Sequence, residues 1–268
     1  MRFRTLPLIG GLLSAAAVEN EATKLAVPSG LPVGAGGVEV GLVCELSRAS
    51  RAFDAAGTAG DRGGAAVSTT VTASVVVGVI PRADLGLAVG WATVRDDASF
   101  AETSSGPTQA VLASTILLVE KKTWAIAVIP RLDVPIRRTV PDDRPTTGAT
   151  DAAYGFTAAA TWEHGEFTSN VAAGYTRHTG VTAQTSRGSL DAGLAGGYVL
   201  TPWLQIEADV VYARELRVDR SQAWSVTGFA GFQIPTPAWR GSLGLSWTLL
   251  GRQADVATAV SASITRIW

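Results

Sequence analysis

Along most of the chain every second residue is hydrophobic, and the residues between them are small or polar. The stretch 256–268 shows the pattern: bulky Val260 and Ile264 fall on one side of an extended strand, while Ser261 and Ser263 fall on the other. Successive side chains of a strand point to opposite faces, so the stretch is predicted to be a two-faced β-strand. Similar segments recur from residue 38 onward, and we therefore predict an all-β protein.

The connections between these segments alternate between short turns and long polar loops. The short ones include "PRAD" at 81–84, "EHGE" at 163–166 and "PTPA" at 235–238, and the longest loop is predicted at 49–64. Short turns at one end, long loops at the other and an even strand count are typical of an outer-membrane barrel. We predict a transmembrane antiparallel up-and-down β-barrel of about 12 strands; 10 is the alternative if residues 109–137 are interpreted wrongly. Residues 109–120 are apolar on both faces, so their register is open.

Aromatic residues cluster at the predicted strand ends, as in the aromatic girdles of membrane barrels. A soluble sandwich would turn its bulky face inward and show charge to water. Here the face opposite the bulky one carries small and hydroxylic residues, which suits a water-facing lumen. The predicted membrane-interface aromatics are Trp124, Trp162, Phe167, Trp203, Trp239, Trp247 and Trp268.

Composition narrows the function classes. The 268 residues are 47% hydrophobic and only 17% charged, below the usual quarter of soluble domains. The net charge of −1 gives no basic footprint, so no nucleic-acid partner is expected. One cysteine excludes an intramolecular disulfide framework, and no metal-ligand spacing or phosphate-binding loop is present, so we predict no cofactor and no metal site.

The N-terminus differs in kind from the rest. "MRFRTLPLIGGLLSAAAV" places Arg2 and Arg4 before an apolar stretch that ends in small residues, which is typical of a secretory signal. We predict a signal peptide over 1–17, a periplasmic N-terminal segment or plug over 18–36 and the barrel over 37–268. The protein is then expected in the outer membrane of a Gram-negative cell, in contact with the lipid bilayer, with both mature termini in the periplasm.

Two resemblances support this interpretation. A final strand that alternates up to Trp268 resembles the assembly signal of bacterial outer-membrane barrels, which implies the outer-membrane assembly machinery as a partner; Arg266 stands where that signal usually has an apolar residue. The stretches "VPSGLPVGAGGVEVGLVCEL", "VIPRADLGLAVGW", "NVAAGYTRH", "GSLDAGLAGGYVLTPWLQIEADVVYA" and "PAWRGSLGLSW" resemble a family of outer-membrane transporters named for the meta pathway of phenol degradation. That resemblance implies a transport role and carries over no functional residue.

The predicted strand phase places a set of charged residues in the lumen. Ionisable groups at membrane depth are costly unless they face water or one another. Six acids against three arginines predict a mild cation preference; a salt-bridge network that merely fills the barrel is the alternative. The pore-lining candidates are Glu39, Glu45, Arg131, Asp133, Arg137, Asp191, Glu207, Asp209 and Arg240, with Asn170, Gln205 and His178 beside them.

The predicted function is a channel or transporter for passive passage of small molecules or ions, with the solute unidentified. A structural or ligand-binding barrel with a closed lumen, acting through its loops, is the alternative. A lipid hydrolase is a weaker hypothesis: His178, with Ser186 and Ser189 near it in sequence, shows no recognisable catalytic pairing. We therefore predict no catalytic residues. Glycine and alanine at inward positions, such as Gly90 and Gly174, suggest space inside the barrel.

Overall fold

The computed structural model describes residues 29, 31–100, 102–136, 145–148, 151–180, 186–219, 222–236 and 238–268. The predicted signal peptide and Arg137 lie outside the described residues. None of the described residues forms a helix long and apolar enough to cross a membrane. The strands are β1 Val38–Phe53, β2 Ala59–Ile80, β3 Ala83–Asp96, β4 Ser104–Ala113, β5 Ile116–Lys121, β6 Trp124–Pro135, β7 Ala153–His164, β8 Phe167–His178, β9 Ser186–Thr201, β10 Leu204–Arg217, β11 Gln222–Pro235, β12 Trp239–Arg252 and β13 Asp255–Ile267.

The strands close into a single barrel. Apart from β4 and β5, each strand pairs antiparallel with the next along the chain, and β13 returns to pair with β1. The backbone amide of Trp268 donates to the carbonyl of Val38 (2.9 Å), and the amide of Val38 donates to the carbonyl of Trp268 (3.2 Å). Since β4 and β5 share one position between β3 and β6, the barrel has 12 strand positions and the predicted count is confirmed. Closure leaves no unpaired sheet edge in the bilayer.

The break between β4 and β5 falls inside residues 109–120, whose register was open in the sequence. Pro130 on β6 lies opposite this break; it has no N–H to donate, and its carbonyl accepts from the amide of Ser114 (3.2 Å). Asp84 supplies a side-chain acceptor to the amide of Thr115, which replaces part of the ladder. The alternation nevertheless continues through the break, with Val111 and Leu117 buried on the inner face.

The two faces of the barrel have opposite character. Large apolar side chains such as Leu42, Leu87, Val171 and Leu245 are exposed on the outer face. Buried polar side chains, among them Glu207 and Asp209, lie on the inner face of the same sheet. An apolar exterior with a polar interior is the reverse of a soluble protein, and it is the arrangement that the hydrocarbon of a bilayer stabilises.

The predicted extent of the 49–64 loop is wrong. Its Gly, Ala and Asp content suggested a flexible connection, but the residues pair across the β1–β2 hairpin, with Arg51 opposite Asp61 and Phe53 opposite Ala59. Only 54–58 remains as a turn. There the amides of Thr58 and Ala56 donate to the carboxylate of Asp54 (2.8 Å each) and lower the pKa of that group.

Candidate solute pathway

The inner face of the barrel changes polarity in steps along single strands. On β10 the inward side chains run from Gln205, Glu207 and Asp209 near the short-turn end, through Val211 and Ala213, to Glu215 and Arg217 near the long loops. The same order appears on β8, where Asn170 precedes Ala172 and His178 ends the strand. On these strands the inner face therefore has two polar regions with an apolar one between them.

Side-chain amides donate hydrogen bonds to a carboxylate in the polar region near the short turns. Gln205 donates from Nε2 to Glu207 Oε1 (3.0 Å), and Gln233 donates from Nε2 to Glu207 Oε2 (3.1 Å). Both oxygens of Glu207 are thus occupied by neighbours on β10 and β11. Neutral amide donors of this kind satisfy the hydrogen-bonding capacity of a buried carboxylate.

Six buried or half-buried apolar side chains form the middle region, here called the apolar zone. Ala159, Ala172, Ala195, Val211 and Phe229 make one cluster with one residue from each of β7 to β11, and Ile129 of β6 packs against it. Three of these six side chains are single methyl groups, and Phe229 is the largest of the six. A second buried pair, Ala88 and Val111, lies on β3 and β4, with Val43 of β1 packed against it.

Ion pairs occupy the inner face towards the long loops. Arg131 donates from Nε to Asp133 Oδ1 (2.6 Å) along β6, and Arg217 donates from Nε to Glu215 Oε2 (2.7 Å) along β10. Arg217 also reaches Gln253 Oε1 (3.2 Å). Each pair joins residues two apart on one strand, as expected when alternate side chains point into the same lumen.

A further arginine ties three strands together at the long-loop end. Arg62 binds both oxygens of Asp96 (2.8 and 2.9 Å) and donates from Nε to Asp255 Oδ1 (2.9 Å). Its side chain is buried, and a register shift between Ala49 and Arg51 in the β1–β2 hairpin accompanies this arrangement. A bidentate guanidinium–carboxylate contact of this kind fixes the relative position of the strands to which its two residues belong.

Residues 31–37 are bound to the short-turn end of the barrel. Asp84 accepts the amide of Val33 on Oδ2 (3.0 Å) and the amide of Thr115 on Oδ1 (2.7 Å). The amide of Gly36 donates to the carbonyl of Gly78 (2.8 Å). A Cβ at Gly78 would lie 2.0 Å from the carbonyl oxygen of Gly34, so only glycine permits this approach.

Small hydroxyl side chains line the inner faces of β12, β13, β1 and β2, opposite in character to the apolar zone. Ser242 and Ser263 are hydrogen-bonded across β12 and β13 (2.7 Å), and Ser47 and Ser68 across β1 and β2 (3.0 Å). We call this surface the hydroxyl wall. Its members are Ser47, Ser68, Thr70, Thr72, Ser74, Ser242, Ser246, Ser261, Ser263 and Thr265.

The structure places the described pore-lining candidates on the inner phase of their strands. Arg131 and Asp191 are half-buried there, and the carboxylate of Asp191 lies against Gly174. Whether these groups line a conducting pore stays a prediction. The buried members of the set are Glu39, Glu45, Asp133, Glu207, Asp209 and Arg240.

Sequence reasoning missed several lumen residues and misjudged the glycines. Phe229 and Gln233 follow the inward phase of β11, a signal that was available; Arg62 and Asp84 act through contacts between distant strands, which no local pattern reveals. Gly90 and Gly174 do not mark open space: a Cβ at Gly90 would meet Thr108 Oγ1 at 2.4 Å, and one at Gly174 would meet Asp191 at 2.5 Å. Neighbouring side chains already occupy these positions.

The predicted interface aromatics are all exposed, on the outer face or in turns; they are Trp124, Trp162, Phe167, Trp203, Trp239, Trp247 and Trp268. Arg266 lies between two of them, with its guanidinium carbon 4.7 Å from the Trp239 ring centre and 5.4 Å from that of Trp268. The unusual arginine of the last strand thus extends an aromatic stack. Cys44 is exposed on the same face.

Metal and nucleophile chemistry have little support within the described ranges. No group of three or more His, Cys, Asp or Glu side chains there could hold a metal ion. Ser186 is buried, and its hydroxyl donates to the carbonyl of Gly188 (3.2 Å). His164 stacks on Trp162, with ring centres 5.7 Å apart.

Comparisons with known proteins agree with this geometry. A family model described as "Putative MetA-pathway of phenol degradation" matches residues 61–249. The COG4313 outer membrane channel from Pseudomonas putida F1 is similar in structure, with a TM-score of 0.77 at 15% identity over 89% of this chain and 97% of that one.

Other barrels are more distant. The KdgM porin in complex with disordered oligogalacturonate has a TM-score of 0.54 at 7% identity, over 85% of this chain and 98% of its own. The translocator domain of autotransporter NalP from Neisseria meningitidis has a TM-score of 0.51 at 10% identity, over 87% and 88%. At these identities the structures show the fold. The search of curated proteins found no match.

Proposed function

The chain belongs to the family described as "Putative MetA-pathway of phenol degradation", and from this premise we propose that it is an outer-membrane channel for the passive passage of small molecules. The observation that carries the proposal is the inverted barrel: charged and amide side chains such as Glu207 and Gln233 are buried inside, and large apolar side chains are exposed outside. Polar groups at membrane depth are retained where they face a lumen. The channels among the structural relatives support the same class.

The proposed orientation places the short turns in the periplasm and the long loops outside the cell. Short periplasmic turns and longer extracellular loops are the rule in bacterial membrane barrels. Val38 and Trp268 meet at the short-turn end, so both ends of the barrel sequence are periplasmic in this orientation. The closing strand β13, with Arg266 stacked between Trp239 and Trp268, is the proposed recognition element for the assembly machinery.

We propose that the segment 18–36 controls access from the periplasmic side. The support is the docking of its last residues: Val33 is buried and bound by Asp84, and Gly36 is bound by Gly78. A chain fixed at this rim can cover the opening. The variant Asp84→Asn weakens the acceptor for Val33 and is expected to increase the open probability of the full mature chain.

The proposed ion preference is cationic and weak. Among the described pore-lining candidates, the six acids Glu39, Glu45, Asp133, Asp191, Glu207 and Asp209 outnumber the two arginines, Arg131 and Arg240. Charged groups lining a pore set its selectivity. The permeability ratio of potassium to chloride, taken from reversal potentials, should exceed one; chloride preference would contradict the acidic lumen.

A barrel that is closed at rest is the second candidate, and burial of the lumen favours it. Ala127 and Asn170 have exposed fractions of 0%. In a wide aqueous pore, inward side chains at these positions would remain accessible to water. An enzymatic role has less support, because the hydroxyl of Ser186 is engaged by its own strand; we propose that the protein is not an enzyme.

Single-channel recording of the refolded chain 18–268 in planar bilayers tests the proposal, with refolding verified by heat-modifiable gel mobility. Discrete open steps, rare in this chain and frequent in Asp84→Asn, are the expected result. A chain that begins at residue 37 keeps every strand and removes the proposed plug. If neither that chain nor Asp84→Asn conducts potassium or benzylammonium, the channel function is wrong and the closed barrel takes its place.

A further inference from the structure

Phe229 differs from most aromatic side chains of the strands. Trp91, Phe156 and Phe232 are exposed on the outer face, and the ring of Phe53, at the long-loop end of β1, lies against the buried Gly251. Phe229 has the inward phase of β11, shared with Ser225 and Gln233, and its exposed fraction is only 6%. A bulky aromatic ring on the lumen side cannot anchor the barrel at the membrane interface, so its position needs another explanation.

The side chains that cluster with Phe229 are small and apolar. Its cluster partners on β7, β8 and β9 are all alanines, and Val211 is its partner on β10. Methyl groups reach only a short way from the wall, so the ring of Phe229 is the largest group projecting from this part of the inner face. Interiors pack without gaps larger than a water molecule, and the ring fills the space that the alanines leave.

Polar regions border the ring on both sides along the lumen. Asp209 is the cross-strand neighbour of Phe229 on β10, and Glu207 and Gln233 follow towards the short turns. Towards the long loops the inward positions return to charge at Glu215 and Arg217. A hydrated ion that passes the ring therefore leaves a polar region and loses hydration on the side of the apolar zone, where it is not replaced.

On the other neighbouring strand, β12, the inner face beside the ring is not apolar. Ser246 on β12 is the other cross-strand neighbour of Phe229 and belongs to the hydroxyl wall. A molecule passing the ring therefore meets apolar carbon on β7 to β11 and a hydroxyl group on the adjoining strand β12. This pairing suits a solute with an apolar body and one hydrogen-bonding group, because each part loses little on leaving water.

We propose that Phe229, seated in the apolar zone, is the selectivity barrier of the lumen. It admits small solutes that combine an apolar body with one polar group, and it restricts hydrated inorganic ions. The inference rests on the proposed channel function and deepens it by naming the residue and the solute class. Neither the predicted charged lining nor the family assigns a role to this position.

The test compares two monovalent cations in the same recordings: potassium, which is hydrated, and benzylammonium, which carries an apolar body. In Phe229→Ala the potassium conductance should rise several-fold and the permeability ratio of benzylammonium to potassium should fall. Phe229→Leu keeps an apolar side chain and should retain the wild-type ratio. Phe232→Ala is the matched control, since Phe232 lies on the same strand with its side chain exposed on the outer face.

A second variant guards against a folding defect in Phe229→Ala. Val211→Thr makes the apolar zone more polar at nearly constant volume, and it should shift the ratio in the same direction by a smaller amount. An unchanged ratio and conductance in both variants would overturn the proposal, whether the wild type conducts or not. The channel function itself fails only if the chain beginning at residue 37 also passes neither cation, so the two failures are distinct.

Discussion

Small side chains of opposite polarity lie on the two sides of the lumen. Three of the six side chains of the apolar zone on β6 to β11 are alanines, and the hydroxyl wall on β12, β13, β1 and β2 is built from serine and threonine. Ala172 and Ala195 are buried in a methyl cluster, whereas Ser242 and Ser263 are hydrogen-bonded to each other. One side excludes water and the other can replace it.

This difference teaches that a small inward side chain has no single meaning in a barrel. An alanine side chain cannot form a hydrogen bond with a passing solute, whereas a serine hydroxyl can. Both leave the same backbone geometry and the same alternation with the lipid face. Function therefore depends on which small residue lies beside which, around the circumference of the barrel.

The sharpest test of the contrast places one carboxylate on each side. Ala172→Asp buries a charge among methyl groups, opposite Ala159 and Gly193, and should lower the free energy of unfolding by about 3 kcal/mol or more. Ser263→Asp, beside the hydroxyl of Ser242, should change it by less than about 1 kcal/mol. Urea titration of the heat-modifiable folded form in liposomes measures both; equal losses would mean that the two sides do not differ in solvation.

The alternation of the sequence was enough to predict the barrel, because its period follows directly from strand geometry. It placed Glu207 and Asp209 inside and Leu245 outside, as the structure has them. The cluster that contains Phe229, Ala195 and Ala172 could not be predicted, because it depends on the register between successive strands of the sheet. Arg62 was missed because Asp255, one of its partners, lies 193 residues away.

A milder test creates a small cavity on the apolar side. Val211→Ala removes buried methyl groups from the cluster with Phe229 and should cost about 1–2 kcal/mol of stability. Val210→Ala removes the same groups from the exposed outer face of the same strand. Lipid tails can fill that gap, so the control should cost roughly 0.5 kcal/mol or less. Similar losses in the two variants, by urea titration, would show that the apolar zone is not tightly packed.

The smallest effect expected is on the hydroxyl wall itself. Ser242 and Ser263 are hydrogen-bonded (2.7 Å), and a neutral pair of this kind contributes about 0.5–1.5 kcal/mol. A double-mutant cycle of Ser242→Ala and Ser263→Ala should give a coupling energy of about 0.5–1 kcal/mol. Ser246 pairs across the strands with Ala259 rather than Ser263, so the cycle of Ser246→Ala with Ser263→Ala should show no coupling. Coupling near zero in the first cycle would mean that water already satisfies both hydroxyls, in which case the hydroxyl wall is a wetted surface rather than a hydrogen-bonded one.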